Sequence, residues 1–319
     1  MPYISVIIPV YNRTQYVGEA INSVLNQTLS KDKYEIIIVS NVDLPEREGV
    51  RIIISNERWQ GPKFAQGIEE AKGEIISLLD DDDLFLPNKL ETIYKVFSEN
   101  EKAGLVKNPV KWVNEQGKEW LDPLPREPIT ITSKDLNSDK LGEAIRYKVW
   151  FNSSSLSFRK SIILNYLDYL REIKLVIDAF IGFLFLFTSQ VVIWNQPLSI
   201  YRVLSISTSR KLSSLDQYIE HERVLEGIAY DDYLTLYKAL GSEKGVEKII
   251  NYQKIVTKLW SKDPVKVSLK EALNSLPLDD PKASKLKILS LYLASFLPYS
   301  LKRVVYKRFY EKELKKLKL

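Results

Sequence analysis

Four consecutive aspartates, Asp80–Asp83, directly follow the apolar run Ile75–Leu79. Adjacent like charges repel one another and cannot all be buried without a cation to balance them. The run before them is aliphatic and β-branched without strict alternation, which is typical of a short strand buried on both faces. Pro87 then suits the first turn of a helix over 88–97. We therefore expect the acids at the carboxyl end of an interior strand, where open α/β sheets bind ligands.

Two roles suit this run of acids. Hard cations such as Mg²⁺ or Mn²⁺ prefer carboxylate oxygens, and they often bridge a few carboxylates to the phosphates of a substrate. The alternative is a hydrated acidic turn at the start of the following helix, since carboxylates are favourable near a helix N-terminus. The run alone leaves both roles open.

Composition leaves acid–base and metal chemistry to carboxylates. The 319 residues include no cysteine and one histidine, His221. These counts exclude disulfides, thiolate nucleophiles and zinc–sulfur sites, and they argue against a His-ligated metal or a Ser-His-Asp triad. A cysteine-free chain fits a reducing compartment. No signal peptide is expected, because Met1 leads straight into strand-like sequence, and no run reaches the roughly 18 to 20 apolar residues of a membrane span.

The net charge of +5 is concentrated in the last twenty residues, which contain eight Lys or Arg and two Glu. The rest of the chain is nearly neutral, so we expect no nucleic-acid partner. Apolar runs at 4–10, 34–39 and 50–54 predict three strands before the one that carries the acids, and helical spacing appears between them. Such alternation indicates an α/β fold with a mostly parallel sheet.

The loop after the first strand offers Tyr11 as an aromatic face for a base, with Asn12 and Arg13 as polar partners. Neither the Gly-x-Gly-x-x-Gly fingerprint nor a phosphate-loop motif follows that strand, which argues against a Rossmann dehydrogenase and a phosphate-loop NTPase. A nucleotide paired with a carboxylate-bound divalent ion is the simplest ligand that fits.

Four ordered motifs resemble the family 2 glycosyltransferases of the GT-A fold. They are Ile7-Ile8-Pro9-Val10-Tyr11-Asn12, Glu35-Ile36-Ile37-Ile38-Val39, Ala71-Lys72-Gly73-Glu74 and Leu79-Asp80-Asp81-Asp82-Asp83. The match covers residues 3 to about 100 and continues more weakly to about 208. The resemblance implies a Rossmann-like, mostly parallel central sheet with flanking helices, and a nucleotide-sugar donor.

The resemblance also assigns roles to individual residues. Asp80 and Asp82 match the family's Asp-x-Asp motif, so Asp82, Asp80 and the neighbouring Asp83 are expected to hold Mn²⁺ or Mg²⁺. Residues expected at the nucleotide sugar are Pro9, Val10, Tyr11, Asn12, Arg13, Asn41, Lys63, Asp80, Asp81 and Arg202. For Arg202, the sequence leaves open whether it contacts the donor phosphates or pairs with a structural acid.

Two departures from the family concern recognition of the base. Ser40-Asn41 stand where relatives usually carry a pair of aspartates, and Phe64, beside Lys63, stands near an expected arginine. The identity of the nucleotide therefore stays open.

Asp178 is the predicted catalytic base. It is the lone acid at the start of a very apolar helix, and such surroundings disfavour the charged carboxylate and raise its pKa. The family places an acid pair here that deprotonates the acceptor, although Ile177 replaces the first member. Capping of the helix or pairing with Lys174 is the alternative. Trp150 is expected on the acceptor side, where its ring could stack on a sugar, or else packed in the core.

We expect a GT-A catalytic domain over 1–210 and a helical C-terminal region over 211–319, with helix breaks at Pro264, Pro277 and Pro281. The basic tail, Tyr299–Leu319, fits a helix lying on an anionic membrane surface. A cytoplasmic protein that touches the inner face of the cell membrane would follow. A solvated helix or a contact in a homo-oligomer is the alternative.

The expected function is an inverting, metal-assisted glycosyltransferase of the hexosyltransferase type. It would move a sugar from a nucleotide-diphosphate donor to a hydroxyl of a glycan, polysaccharide or lipid-linked acceptor, with inversion implied by the resemblance alone. A catalytically impaired relative that only binds, or a metal-dependent nucleotidyltransferase, is the alternative.

Overall fold

The computed structural model describes residues 2–136, 138–204, 206–207, 210–211, 214–241, 243–260, 265–277 and 285–318. The chain forms two compact units. The first unit combines Met1–Val113 with Glu119–Arg202, and the second combines Asn114–Lys118 with Val203–Leu319. The expected helix breaks at Pro264 and Pro281 lie outside the described residues.

Strands β1 to β12 and helices α1 to α7 cover the first unit. The strands are β1 Ile4–Val10, β2 Tyr34–Ser40, β3 Val50–Ile54, β4 Ile75–Leu78, β5 Leu84–Phe85, β6 Ala103–Lys107, β7 Val110–Asn114, β8 Glu119–Leu121, β9 Ile129–Thr132, β10 Leu156–Arg159, β11 Gln190–Ile193 and β12 Ser199–Val203. The helices are α1 Val17–Leu25, α2 Gln60–Glu70, α3 Lys89–Glu99, α4 Ser138–Arg146, α5 Lys160–Ile163, α6 Leu167–Glu172 and α7 Ile177–Thr188.

The main sheet has eight strands in the order β3-β2-β1-β4-β10-β6-β11-β9. Strand β1 is parallel to β2 and β4, with Ile7 opposite Ile37 and Leu78, while β10 is antiparallel to β4 and β6. The carboxyl ends of β1, β2 and β4 therefore meet at one edge, which brings the loops after Val10, Ser40 and Leu78 together. The predicted mostly parallel α/β sheet is confirmed.

Close packing holds α2 against this sheet. All seven residues of β1 are buried, as their unbroken apolar run predicts. Gly67 of α2 faces Ile7 so closely that an added Cβ would lie 2.6 Å from the Ile7 Cγ2 atom. A side chain at this position would push the helix away from the strand whose end forms the ligand loop.

The middle of the chain forms a smaller sheet of order β5-β12-β7-β8. Asn108 and Pro109 separate β6 from β7, because proline has no N–H for a strand ladder. The stretch 115–128 contains β8, whose Trp120 lies opposite Trp112 of β7.

The second unit is mostly helical, as predicted. Its elements are β13 Ile206–Ser207, β14 Arg210–Lys211, α8 Leu215–Ala239, α9 Lys244–Trp260, α10 Leu269–Leu273, α11 Lys285–Ala294 and α12 Tyr299–Lys318. Trp260 of α9 stacks on Tyr306 of α12 with ring centroids 4.4 Å apart, and both are buried. None of the helices in the described part of the chain combines the length and the apolar character needed to cross a bilayer.

Candidate active site

A reciprocal pair of amides joins the loops after β1 and β2. The Asn12 backbone N–H donates to the Asn41 Oδ1 atom at 2.9 Å, and the Asn41 side-chain amide donates to the Asn12 Oδ1 atom at 2.6 Å. Asn12 has a φ of 55°, a left-handed conformation that asparagine tolerates better than most residues. The adjacent Tyr11 side chain stays exposed, at 39% of its maximum. These bonds fix an aromatic face at the edge of the sheet.

Lys63 supports this loop from below. Its buried Nζ atom donates to the Val10 carbonyl oxygen at 2.6 Å and lies 5.4 Å from the Tyr11 ring centroid. Burial lowers the Lys63 pKa to about 8. The structure therefore places this predicted donor-binding cation behind the tyrosine, where it acts on the loop backbone.

The two middle acids of the run share one cation. The Arg13 guanidinium contacts both Asp81 and Asp82, and the distance to the Asp82 Oδ2 atom is 2.6 Å. Burial raises the Asp81 pKa to about 6, although Arg13 opposes that shift. The Asp82 side chain is 16% exposed. Asp81 is buried, and these two carboxylates share a partner whose own side chain is flexible and 32% exposed.

The two outer acids, Asp80 and Asp83, point inward. Asp83 accepts hydrogen bonds from the Asn152 side-chain amide at 2.9 Å, the Ser154 hydroxyl at 2.7 Å and the Arg202 backbone N–H at 3.0 Å. The Asp80 carboxylate accepts from the Ser153 hydroxyl, and its backbone N–H donates to Ser154. Burial and mutual repulsion raise the pKa of both carboxyls.

Asn152 connects the acid run to Asp178. Its backbone N–H donates to the Asp178 Oδ2 atom at 2.7 Å, while its side chain binds Asp83. This double role requires a φ of 65° at Asn152, just before the 3₁₀ turn Ser153–Ser155. The structure thus brings together two sites that are 95 positions apart in the sequence.

Asp178 lies in the first turn of α7 and is partly buried. The residue before the helix is Val176, so Asp178 is not the N-cap residue itself. Its carboxylate also accepts from the Ala179 N–H at 2.9 Å. Burial raises the Asp178 pKa, against these hydrogen bonds and the nearby Lys107. A carboxylate with a raised pKa accepts protons more readily than an exposed one.

Two buried lysines hold the 3₁₀ turn in place. Lys89 donates to the Ser154 carbonyl at 2.6 Å, and Lys107 donates to the Phe151 carbonyl at 3.0 Å and to the Ser155 hydroxyl. Burial lowers the pKa of both amines, that of Lys107 to about 8. Sequence reasoning missed both lysines. Helical spacing could have signalled Lys89, because it shares one helix face with the apolar Ile93 and Phe97.

Two further predicted site residues have mainly structural contacts. The Arg202 side chain forms an ion pair with Glu19 at 2.7 Å and lies over the Tyr16 ring at 5.0 Å. Trp150 is partly buried with its ring edge-on to Phe151 at 6.0 Å. Its Nε1 atom is buried and has no hydrogen-bond partner among the described residues. Acceptor binding by Trp150 stays a prediction.

The carboxylates of the site determine which kind of metal site it fits. Within the described ranges, no three His, Asp or Glu side chains converge on a point that could hold a metal ion. Both oxygens of Asp83 already accept protein hydrogen bonds. The partly exposed Asp82 fits a second kind of site, in which one or two carboxylates hold Mg²⁺ or Mn²⁺. Substrate phosphates and water then supply the remaining ligands of the ion.

Comparison with known proteins places the acid run inside a recognised family segment. Residues 5–163 match the family described as "Glycosyl transferase family 2". The chain is 40% identical over 107 residues to an uncharacterized glycosyltransferase of Rickettsia bellii, covering 30% of this chain and 15% of that protein. A Nostoc glycosyltransferase is 36% identical over 115 residues, covering 32% and 35%. A Rickettsia typhi glycosyltransferase is 26% identical over 235 residues and 71% of each chain.

The chain therefore spans only 15% and 35% of the lengths of the first two relatives.

Among solved structures, residues 1–349 of S. aureus TarS in complex with UDP-GlcNAc align with a TM-score of 0.56 and 15% identity, covering 98% of this chain and 92% of that one. The same protein with UDP aligns with a TM-score of 0.54. At such low identity this likeness establishes the fold, and the expected GT-A architecture is confirmed.

Proposed function

The chain belongs to glycosyltransferase family 2 through residues 5–163, and from that premise we propose that it transfers a sugar from a nucleotide-diphosphate donor to a hydroxyl group of an acceptor. The observation that carries the proposal is the double hydrogen bond of Asn152. It holds Asp178, a partly buried carboxylate, next to the acid run at the end of β4. A proton acceptor and a diphosphate site are the two parts that such a transfer needs.

The donor side is the edge where β1, β2 and β4 end. The exposed Tyr11 ring offers a stacking face for the base, and the Asn12–Asn41 pair leaves polar groups beside it. TarS of S. aureus was solved with UDP and with UDP-GlcNAc. UDP-sugars are therefore the donors to test first.

Asp82, with Asp80, would hold the divalent cation, which supplies charge neutralisation for the departing diphosphate. Arg13 already contacts the Asp82 carboxylate and lies where a second positive charge is useful. We propose that the donor diphosphate draws Arg13 away from Asp81 and Asp82, since phosphate oxygens suit a guanidinium as well as carboxylates do.

Asp178 would act on the acceptor. The acceptor oxygen attacks the anomeric carbon, the bond from that carbon to the diphosphate breaks, and the hydroxyl proton passes to the Asp178 carboxylate. Attack opposite to the leaving group inverts the anomeric centre. The raised pKa of Asp178 suits a base that must take up a proton, and the Asn152 N–H keeps its Oδ2 atom oriented.

The test compares wild type with Asp178→Asn, using a panel of nucleotide sugars, Mn²⁺ and a mixture of glycan and lipid-linked acceptors. Product sugar and free nucleotide diphosphate are both measured, so transfer of a nucleotide rather than a sugar is recognised. We expect transfer to fall about 10²- to 10⁴-fold in the variant, the usual contribution of a general base. Donor affinity by calorimetry should stay unchanged.

Asp168→Asn is the matched control, because the Asp168 side chain is 99% exposed and lies outside the site. Full transfer activity in Asp178→Asn would refute the base assignment. Unchanged donor affinity in Asp82→Ala, with and without Mn²⁺, would refute the metal assignment and leave the base assignment standing.

A further inference from the structure

A segment of the second unit exposes large apolar side chains in unusual number. On α11, Leu286 and Leu293 are seven positions apart and so lie on one helix face, and Leu297 follows in the bend after the helix. Their exposures are 75%, 58% and 38%. Phe296, Tyr299, Leu301 and Val304 are also exposed. We call residues 286–304 the exposed apolar segment.

The opposite faces of α11 and α12 pack into the core of the second unit. Ile288 and Tyr306 are buried, and Leu291 and Phe309 pack against the buried clusters. Helix α11 therefore has two apolar faces, one that packs in the core and one that is exposed. This finding relocates the expected membrane contact. Val305 and Phe309 belong to the basic tail that the sequence predicts on a membrane surface, but they pack against the cluster around Trp260.

Charge around the exposed apolar segment has one sign. Residues 285–310 contain six Lys or Arg and no Asp or Glu. Along α12, Arg308, Lys312 and Lys315 continue the exposed face that begins with Leu301 and Val304. Apolar side chains bordered by cations suit a surface that is apolar inside and negatively charged at its rim.

A cleft of 650 Å³ is lined by two cations, Arg223 and Lys302, by two acids, Asp216 and Glu220, and by Leu297 and Tyr299 of the exposed apolar segment. Glu220 pairs with Arg223, and Asp216 pairs with Arg303. The Lys302 Nζ atom donates instead to the Lys258 carbonyl at 3.1 Å. Burial, Lys258 and Arg223 all lower the Lys302 pKa, so an anion beside Lys302 would be favourable.

From these features we propose that the exposed apolar segment docks onto a bilayer rich in anionic phospholipids, with a headgroup phosphate beside Lys302. A second copy of the chain fits less well, because a two-fold interface uses the same patch of both copies and would bring the six cations of each copy into one contact. The proposal does not depend on the sugar-transfer activity, since docking is measured without donor or acceptor.

The test is flotation of the full chain with vesicles of phosphatidylcholine alone or of phosphatidylcholine and phosphatidylglycerol in equal parts. Wild type should float with the anionic vesicles, and added salt should release it. The triple variant Leu293→Ser, Leu301→Ser, Val304→Ser should bind them about tenfold or more weakly, because its apolar contact is reduced. Lys302→Gln should weaken binding about fivefold, the usual contribution of one cation near the surface.

The matched control is Leu269→Ser with Leu273→Ser on α10, whose side chains are 49% and 45% exposed in the same unit. It should bind like wild type. Leu293→Ser alone, a change of one exposed side chain, repeats the test should the triple variant fold poorly, and it should still weaken binding measurably. Equal binding of wild type to both vesicle types, or no loss in Leu293→Ser, would overturn the proposal. Self-association or capture of an acidic protein that disappears in these variants, without vesicle binding, would also overturn it.

Discussion

The four acids of one short run divide into two pairs that differ in their partners. Asp80 and Asp83, the inner pair, accept from neutral hydroxyl, amide and backbone donors, whereas Asp81 and Asp82, the rim pair, share the partly exposed Arg13 side chain. Neutral donors held by packed neighbours fix the position of a carboxylate. An ion pair with one long side chain fixes it poorly and can be exchanged for another cation. The inner pair therefore fixes the geometry of the site, and the rim pair is the part whose cation can be exchanged.

The largest predicted effect is a loss of stability when one acid of the inner pair is removed. Asp83→Ala removes the acceptor for three buried donors, from Asn152, Ser154 and Arg202. Each donor left unsatisfied costs about 1 to 3 kcal/mol, so we expect the first unit to lose about 3 kcal/mol or more of its free energy of unfolding. Calorimetric unfolding should show a lower midpoint for that unit.

Asp82→Ala is the matched change in the rim pair. Arg13 keeps Asp81 as a partner, so the free energy of unfolding should change by less than about 1 kcal/mol. Equal losses of stability in Asp82→Ala and Asp83→Ala would contradict the division of the run into two pairs.

The second prediction concerns pH and Lys107, the buried lysine that binds Phe151 and Ser155 at the two ends of the stretch that contains Asn152. Burial lowers the Lys107 pKa from 10.5 to about 8. Below pH 8 the amine is charged in the folded and unfolded states alike, and the folded state bears the cost of burying it. Between pH 8 and 10.5 the unfolded state holds more protons, so stability rises with pH, by up to about 3 kcal/mol at 1.4 kcal/mol per pKa unit.

Lys107→Met should remove the part of that rise that belongs to Lys107, about 3 kcal/mol, and leave the part due to the buried Lys63 and Lys89. Lys148→Met, which changes a partly exposed lysine nearby, should retain most of the rise, because burial lowers the Lys107 pKa more than Lys148 does. Denaturant unfolding of both variants and wild type at about pH 7.5 and about pH 10 measures the difference, because most of the rise falls between these two pH values. A rise of the same size in Lys107→Met and wild type would contradict the assignment.

Much of the site could be predicted because its parts lie at strand ends. Unbroken apolar runs fix β1, β2 and β4, and in parallel strands the residues after each run meet at one edge. The division of the acid run could not be predicted. Four identical residues carry no signal of which two turn inward, since that depends on the Asn152–Ser155 stretch about seventy positions later.

The basic tail is a second case in which the sequence does not predict which side chains are buried. The sequence predicts that the helix over Tyr299–Leu319 lies on an outside surface, but its Val305 and Phe309 pack on the core of the second unit. A helix with apolar residues on several faces does not reveal from spacing alone which face its neighbours cover. That choice depends on the aromatic cluster of Trp260 and Tyr306, whose members come from separate helices.

The third prediction concerns Asn152, which links the inner pair to Asp178. Asn152→Gly and Asn152→Ala both remove the amide that binds Asp83, but only alanine is strained at a φ of 65°. We expect alanine to cost about 1 to 2 kcal/mol more than glycine. Its turnover should also be about tenfold lower, because the Asn152 N–H no longer meets Asp178 in the same geometry.

Steady-state kinetics and thermal unfolding of the two variants measure both differences. Equal turnover in the glycine and alanine variants would show that the backbone bond from Asn152 does not position the carboxylate of Asp178.

The smallest predicted effect on stability is at Arg13. Arg13→Gln removes the cation from a rim where its side chain is 32% exposed, and exposed or partly exposed ion pairs contribute between about 0 and 1 kcal/mol. We therefore expect a change in unfolding free energy below about 1 kcal/mol at low salt and a smaller one at high salt, where screening weakens the pair. Because the rim pair is the part of the run that exchanges partners, donor affinity should fall more than stability does. A loss of stability as large as that of Asp83→Ala would place Arg13 with the inner pair and remove the distinction between the two.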